Sequence, residues 1–454
     1  GSDRGGYFAL DVTKPVPDPG NENDTDKGGP RFLWQLTRDA TGKELFGRGG
    51  ATPTITTLFF DPLGGTNARE IPVAVLPGGR GGTLTGAPAP ATARTFSDVS
   101  LDTRVTPRGQ VNGYTWGSGN AEIGARSLTI VRLDTGEIIR TFRQAATEVS
   151  AALQPRVTPA EIDSPIIGQA VPFPGETGTV ADRIIVGDRD GRLWKVNVAS
   201  KNPADWTMKL FFDLYPATTS GGTPHGFADG QPISVPPVLS IDERGRMTVN
   251  VASGDQDSLA SSATQTNYVY SLVEDTNAGR TTAVHKINWL KSFTNGERVV
   301  GPLALFGGDL FFATFVAASG SNVCAIGTSK LWGMNYIQPF STTDFKQGGL
   351  AALTNATPPP AKVQVIDQGS TFISGVSVAQ QPSCFNTSVD DIGDDLVGYR
   401  GLTRITQVNP GKFELVMHQN QATGGANQRV ANTAVQLETP PATSRIASWA
   451  NVIE

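Results

Sequence analysis

The stretch Asp182-Arg183-Ile184-Ile185-Val186-Gly187-Asp188-Arg189-Asp190-Gly191-Arg192-Leu193-Trp194-Lys195-Val196-Asn197 decides the reading of this chain. An apolar run, Ile184 to Gly187, meets a short polar segment and then an alternating run, Leu193 to Val198, with one face largely apolar and the other more polar. That order of run, turn and run predicts an antiparallel hairpin. Asp188 and Asp190 cap backbone amides of the turn and Gly191 supplies a positive φ, so neither carboxylate needs a catalytic role.

The same texture extends in both directions. Runs at Tyr7 to Val12, Arg31 to Leu36, Thr54 to Phe60, Glu70 to Leu76, Ser127 to Leu133 and Ile138 to Phe142 precede the hairpin. Met208 to Asp213, Met247 to Ala252, Tyr268 to Val273, Lys330 to Tyr336, Leu402 to Val408 and Phe413 to His418 follow it. Leu133-Asp134-Thr135-Gly136-Glu137 and Asn409-Pro410-Gly411 carry hairpin turn chemistry. The expectation is an all-β fold, a β-propeller of roughly six or seven four-stranded blades. Residues 1–454 read as a single propeller domain with long inserted loops at 18–29, 78–97, 105–124 and 219–230. A sandwich or β-helix uses similar strands, since strand number does not fix closure.

Composition agrees with many strands and turns. Among 454 residues there are 52 Gly and 31 Pro, and only 17% are charged. The net charge of −5 with no dense Lys/Arg cluster argues against nucleic acid as a partner. Val299 to Ser319 is long enough for a membrane span, but Gly307, Gly308 and Asp309 stand at its middle, so two strands and a turn are expected and no membrane span. Gly1 to Gly6 has none of the regions of a signal peptide, so any export signal is expected to have been removed or to lie upstream.

Four ordered segments then resemble the PilC/PilY family of type IV pilus tip proteins, in their C-terminal propeller. They are Gly5 to Thr13 with Leu33-Trp34-Gln35-Leu36-Thr37, the Asp182 to Asn197 hairpin, Gly296 to Pro302 leading to Phe312-Ala313-Thr314-Phe315, and Ser444-Arg445-Ile446-Ala447-Ser448-Trp449. The resemblance implies an exported bacterial protein at the cell surface or pilus tip, acting in pilus assembly and adhesion and not as an enzyme. It implies minor pilins or pilus tip proteins, and a surface or host-cell ligand, as partners. Because family members carry a von Willebrand A-like region ahead of the propeller, it also implies the C-terminal part of a longer protein. A quinoprotein-type dehydrogenase and a generic extracellular interaction propeller are the alternatives.

Family members often hold calcium in an Asp-rich loop before the characteristic hairpin. Here that stretch, Pro174 to Asp182, keeps carboxylates only at Glu176 and Asp182, too few for a cation that takes roughly 6–8 oxygens. No cofactor is therefore expected. Asp390, Asp391, Asp394 and Asp395, with Gly393 among them, are the alternative calcium ligands, weighed against solvated turn residues. Asp18, Asn21, Asn23, Asp24 and Asp26 are read as a surface turn.

Cys324 and Cys384 allow either one disulfide or two buried thiols, and export favours the bridge. His225, His285 and His418 lack companions at metal-ligand spacing. Trp34, Trp194 and Trp332 lie in strands and are assigned to blade cores. Tyr114 and Trp116, in a polar Gly-rich insertion, are the aromatics assigned to binding, with loop packing as the other reading.

Overall fold

Each face of the Asp182 hairpin is buried, because the sheet that holds it lies between two others. In the computed structural model, residues 5–14, 29–81, 120–162, 164–174, 178–214, 232–242, 244–254, 256, 266–275, 284–318, 327–337, 364–367, 371–380, 384–387, 405–409, 413–421 and 430–436 are described. They form an all-β, β-propeller-like architecture of seven sheets.

The first sheet pairs β1 (Tyr7–Asp11) with β2 (Arg31–Leu36). The second runs β3 (Thr54–Phe60), β4 (Arg69–Pro77), β5 (Leu128–Arg132) and β6 (Ile138–Arg143), antiparallel throughout, with β7 (Val157–Pro159) added parallel to β6. A short helix, α1 (Asn120–Ala125), precedes β5. The third sheet is the meander β8 (Val171–Pro174), β9 (Ala181–Gly187), β10 (Arg192–Asn197) and β11 (Thr207–Asp213). The fourth is β12 (Val238–Ile241), β13 (Met247–Ala252), β14 (Asn267–Asp275) and β15 (Val284–Phe293). The fifth is β16 (Arg298–Phe306), β17 (Asp309–Val316), β18 (Thr328–Asn335) and β19 (Gln364–Asp367), so the apolar stretch around Gly307 is indeed two strands and a turn. The rest of the chain gives a three-stranded sheet, β20 (Thr371–Gln380), β23 (Phe413–Gln421) and β24 (Val430–Gln436), and a two-stranded one, β21 (Cys384–Thr387) with β22 (Ile405–Asn409). No described helix is long and apolar enough to cross a membrane.

By compactness the chain divides into two units, one holding residues 1–299, 316–321 and 337–361, the other 300–315, 322–336 and 362–454. Within the first unit, strand alternation distributes side chains between successive cores. Ile184, Val186, Trp194 and Val196 pack with Leu58, Phe60, Val73, Ile130 and Phe142 of the second sheet. Their neighbours Ile185 and Leu193 point the opposite way, joining Phe211 of β11 and Val249, Val251, Tyr270 and Leu272 of the fourth sheet. The continuous apolar run of β9 follows from this double burial. The polar side of β10 is therefore an inter-sheet face and not a solvent face. Lys195 there forms an ion pair with Glu274 of β14, which also lies 3.6 Å from Arg183.

On the other side of the second sheet, its Ala74, Leu76 and Val131 pack with Tyr7, Trp34, Leu45 and Phe46. Trp34 donates its indole N–H to the Leu133 carbonyl at 2.8 Å, and its ring lies where any side chain at Gly136 would fall. In the second unit, the Trp332 ring stacks on Phe312 and its indole N–H donates to the Thr314 hydroxyl at 3.0 Å. Trp34, Trp194 and Trp332 are all core residues, as the sequence assigns them.

One hairpin design recurs three times, at the Arg38–Glu44 bridge, between β9 and β10, and between β12 and β13. In Asp39-Ala40-Thr41-Gly42-Lys43, Asp188-Arg189-Asp190-Gly191-Arg192 and Asp242-Glu243-Arg244-Gly245-Arg246, the aspartate amide donates to the carbonyl four residues on, at 2.9 Å each time. The glycines have φ of 82°, 85° and 74°, the left-handed closure of a three-residue hairpin loop. The aspartate carboxylate accepts from the amides two and four residues on, at 2.8–3.0 Å.

Burial opposes the charged form of Asp39 and Asp242, but these hydrogen bonds outweigh it and hold both carboxyls below the ordinary range. A depressed folded pKa gives stability that is complete above the unfolded value, near 4, and lost as pH falls through the folded one. Unfolding midpoints in denaturant should therefore be level above about pH 5 and fall below about pH 4, with a shallower fall in Asp242→Asn.

Candidate functional site

Hydrogen bonds place the roots of three long chain connections around the Asp188 turn. The 215–231 connection leaves from Leu214, whose amide donates to the Gly191 carbonyl at 2.8 Å, and returns at Ile233, whose amide donates to the Asp188 carbonyl at 3.0 Å. Ile233 bridges Gly254, from which the 255–265 connection departs, and the Gly254 amide donates to Pro232 at 2.9 Å. The 82–119 connection is tied in from the other side. Arg189 donates its amide to Pro165 at 2.9 Å and a guanidinium N–H to the Arg80 carbonyl at 3.4 Å.

The root of that last connection is held by its glycines. Gly78 to Gly81 reads in sequence as a flexible loop, but its backbone is pinned: Gly47 donates to Gly78, Gly79 to Ile166, and Arg80 to Arg48 and Gly49, at 2.8–3.1 Å. A Cβ at Gly78 would lie 2.1 Å from the Ala125 carbonyl oxygen, and one at Gly124 2.7 Å from Phe46 backbone. Glycine is required because backbone meets backbone. Main-chain bonds thus hold residues 78–80 of the expected 78–97 loop, and 120–124 of the expected 105–124 loop belong to α1, whose Ala125 accepts from the Ile166 amide at 3.0 Å; 82–97 and 105–119 lie outside the described residues.

Asp188 anchors the centre from beneath. It is fully buried, accepts from the Asp190 and Arg192 amides, and receives Arg192 Nε and Trp194 Nε1, each at 2.9 Å. Arg192 is buried too and lies over the Trp194 ring, 5.2 Å from guanidinium carbon to ring centre. A carboxylate so fully engaged is a brace, without lone pairs to spare for proton transfer.

The sequence-assigned binding and metal residues fall mostly outside the described residues. Tyr114, Trp116, Asp390, Asp391, Asp394, Asp395, Glu176, His225 and Cys324 do so, as does the 18–28 part of the expected 18–29 loop and all of 219–230. Cys384 is placed only by its backbone, opposite Asn409. In the Pro174 to Asp182 segment, Pro174 and Ala181 face each other across the β8–β9 hairpin and the Asp182 carboxylate is bound by Arg183 at 2.8 Å. His418 meets the Ser377 hydroxyl at 3.1 Å on an exposed strand face. Among the described residues, no three His, Cys, Asp or Glu side chains stand together as a metal site.

Among the solved structures similar to the chain are the following two. One is the crystal structure of the Pseudomonas aeruginosa PilY1 C-terminal domain, at 15% identity and TM-score 0.45, covering 90% of this chain and 76% of that one. The other is the quinohemoprotein alcohol dehydrogenase ADHIIG from Pseudomonas putida HK5, at 12% identity and TM-score 0.25, covering 72% of this chain and 53% of that one. No family model and no curated protein matches.

The convergence of connection roots was not legible beforehand, because Leu214 and Ile233 reach the turn through main-chain bonds and core packing that no local sequence pattern marks. The recurring Asp-x-x-Gly-Lys/Arg pattern at Asp39, Asp188 and Asp242 was a signal available in the sequence.

Proposed function

We propose that the chain is an exported type IV pilus component, exposed at the pilus tip, that acts in assembly and adhesion by binding and not by catalysis. Its partners in this reading are minor pilins or other tip proteins on the pilus side and a surface or host-cell ligand on the other. The observation that supports it best is the convergence of three connection roots on one buried, hydrogen-bonded turn. Rigid sheets that fix the ends of long connections suit recognition, because the scaffold bears the ordering cost before a partner arrives. The four ordered segments that resemble the PilC/PilY family add the pilus context, and strands bonded edge to edge suit a module under tension.

Tyr114 and Trp116, on the 82–119 connection, are the aromatics proposed to make contact. The test is to replace residues 84–117 by a short Gly-Ser linker in the bacterium that makes the protein. Attachment should be lost while the purified variant keeps the parent's melting temperature. Gene deletion that leaves piliation and attachment unchanged overturns the reading, as does a bound chromophore with alcohol turnover after incubation with quinone and calcium.

A further inference from the structure

Arg143, the last residue of β6, is withdrawn completely from solvent, yet none of its three guanidinium nitrogens has a hydrogen-bond acceptor among the described residues. The carboxylate within ion-pairing distance, Glu148, lies 3.5 Å from Nε. Burial, first of all, pushes the Glu148 carboxyl up, and at this distance it leaves all three guanidinium nitrogens without a hydrogen bond. Asp39 also bears electrostatically on Arg143, but its oxygens are taken by Thr41, Lys43 and Ser150. Arg126 adds a like charge to the same cluster. The Ser150 hydroxyl, two residues beyond Glu148, is buried without a partner among the described residues.

A guanidinium stays protonated in a protein, and a buried charge is stable only when paired and hydrogen-bonded. We propose that Arg143 binds one small monovalent anion within the first unit, as a structural counter-ion. Its donor fork suits a halide or a small planar oxyanion, and complete burial restricts the site to ions of that size.

The purified full chain should be melted in sodium bromide and in sodium gluconate at equal ionic strength, gluconate being too bulky to enter. Bromide should raise the melting temperature by roughly 2–4 °C for each tenfold increase in concentration, and gluconate should not. Arg143→Met should abolish the difference and Arg143→Lys should retain part of it. An anomalous bromide peak beside Arg143 in crystals of the parent gives an independent readout should Arg143→Met fail to fold. Equal melting in the two salts with no anomalous peak overturns the proposal and leaves ordered water as the acceptor. A bromide effect that persists in Arg143→Met overturns it equally.

Discussion

Asp188→Ala is expected to destabilise the protein by about 3–5 kcal/mol, the range for removing one partner of a buried ion pair. The carboxylate serves two backbone amides, the Arg192 guanidinium and the Trp194 indole at once, and both side chains are buried with it. Alanine withdraws all four acceptor interactions from a place water cannot reach. Asp188→Asn keeps one acceptor oxygen and loses the charge, so it should fall between parent and alanine variant. The check is chemical denaturation of the three proteins with a common slope, which makes midpoint differences differences in stability. Because Leu214 and Ile233 hang on this turn through main-chain carbonyls, hydrogen exchange at both amides should quicken in Asp188→Ala. Unchanged exchange there would mean that the turn does not hold the connection roots.

The second large effect is expected from Gly78→Ala. The added methyl would sit 2.1 Å from the Ala125 carbonyl oxygen, 2.5 Å from its carbon and 2.7 Å from the Gly124 carbonyl oxygen. All three are main-chain atoms, so no side chain can swing away, and the strand end or α1 must move. Overpacking of this kind costs about 1–3 kcal/mol or more. Differential scanning calorimetry should show the loss, and limited proteolysis should show faster cleavage between residues 78 and 126 than in the parent. A variant that melts with the parent would show that the approach of β4 to α1 is looser than these distances.

Much of the architecture was legible because interior strands advertise themselves. β2, β3 and β13 begin and end where their apolar runs do, β9 starts three residues before its apolar run, and β10 is offset by one residue at each end. Several strands escaped, β20 among them although Phe372, Ile373, Val376 and Val378 give it an apolar pattern. β8 contains two prolines in four residues, β12 and β19 are short edge strands, and β15 carries His285, Lys286, Asn288 and Lys291. Their place depends on main-chain pairing with a better-marked neighbour, which composition does not report. The site was legible in part for the same reason. Asp188 could be read as a turn residue from Gly191 alone, whereas its engagement of Trp194 and the attachment of Ile233 are products of packing.

The three Asp-x-x-Gly hairpins close on themselves within five residues, so each can form in microseconds without waiting for distant chain. The 38 residues from 82 to 119 are excluded from that step, and doubling a loop's length costs only about 0.6 kcal/mol of closure entropy. The 82–119 segment can therefore be lengthened, shortened or rewritten with little effect on how fast these hairpins close.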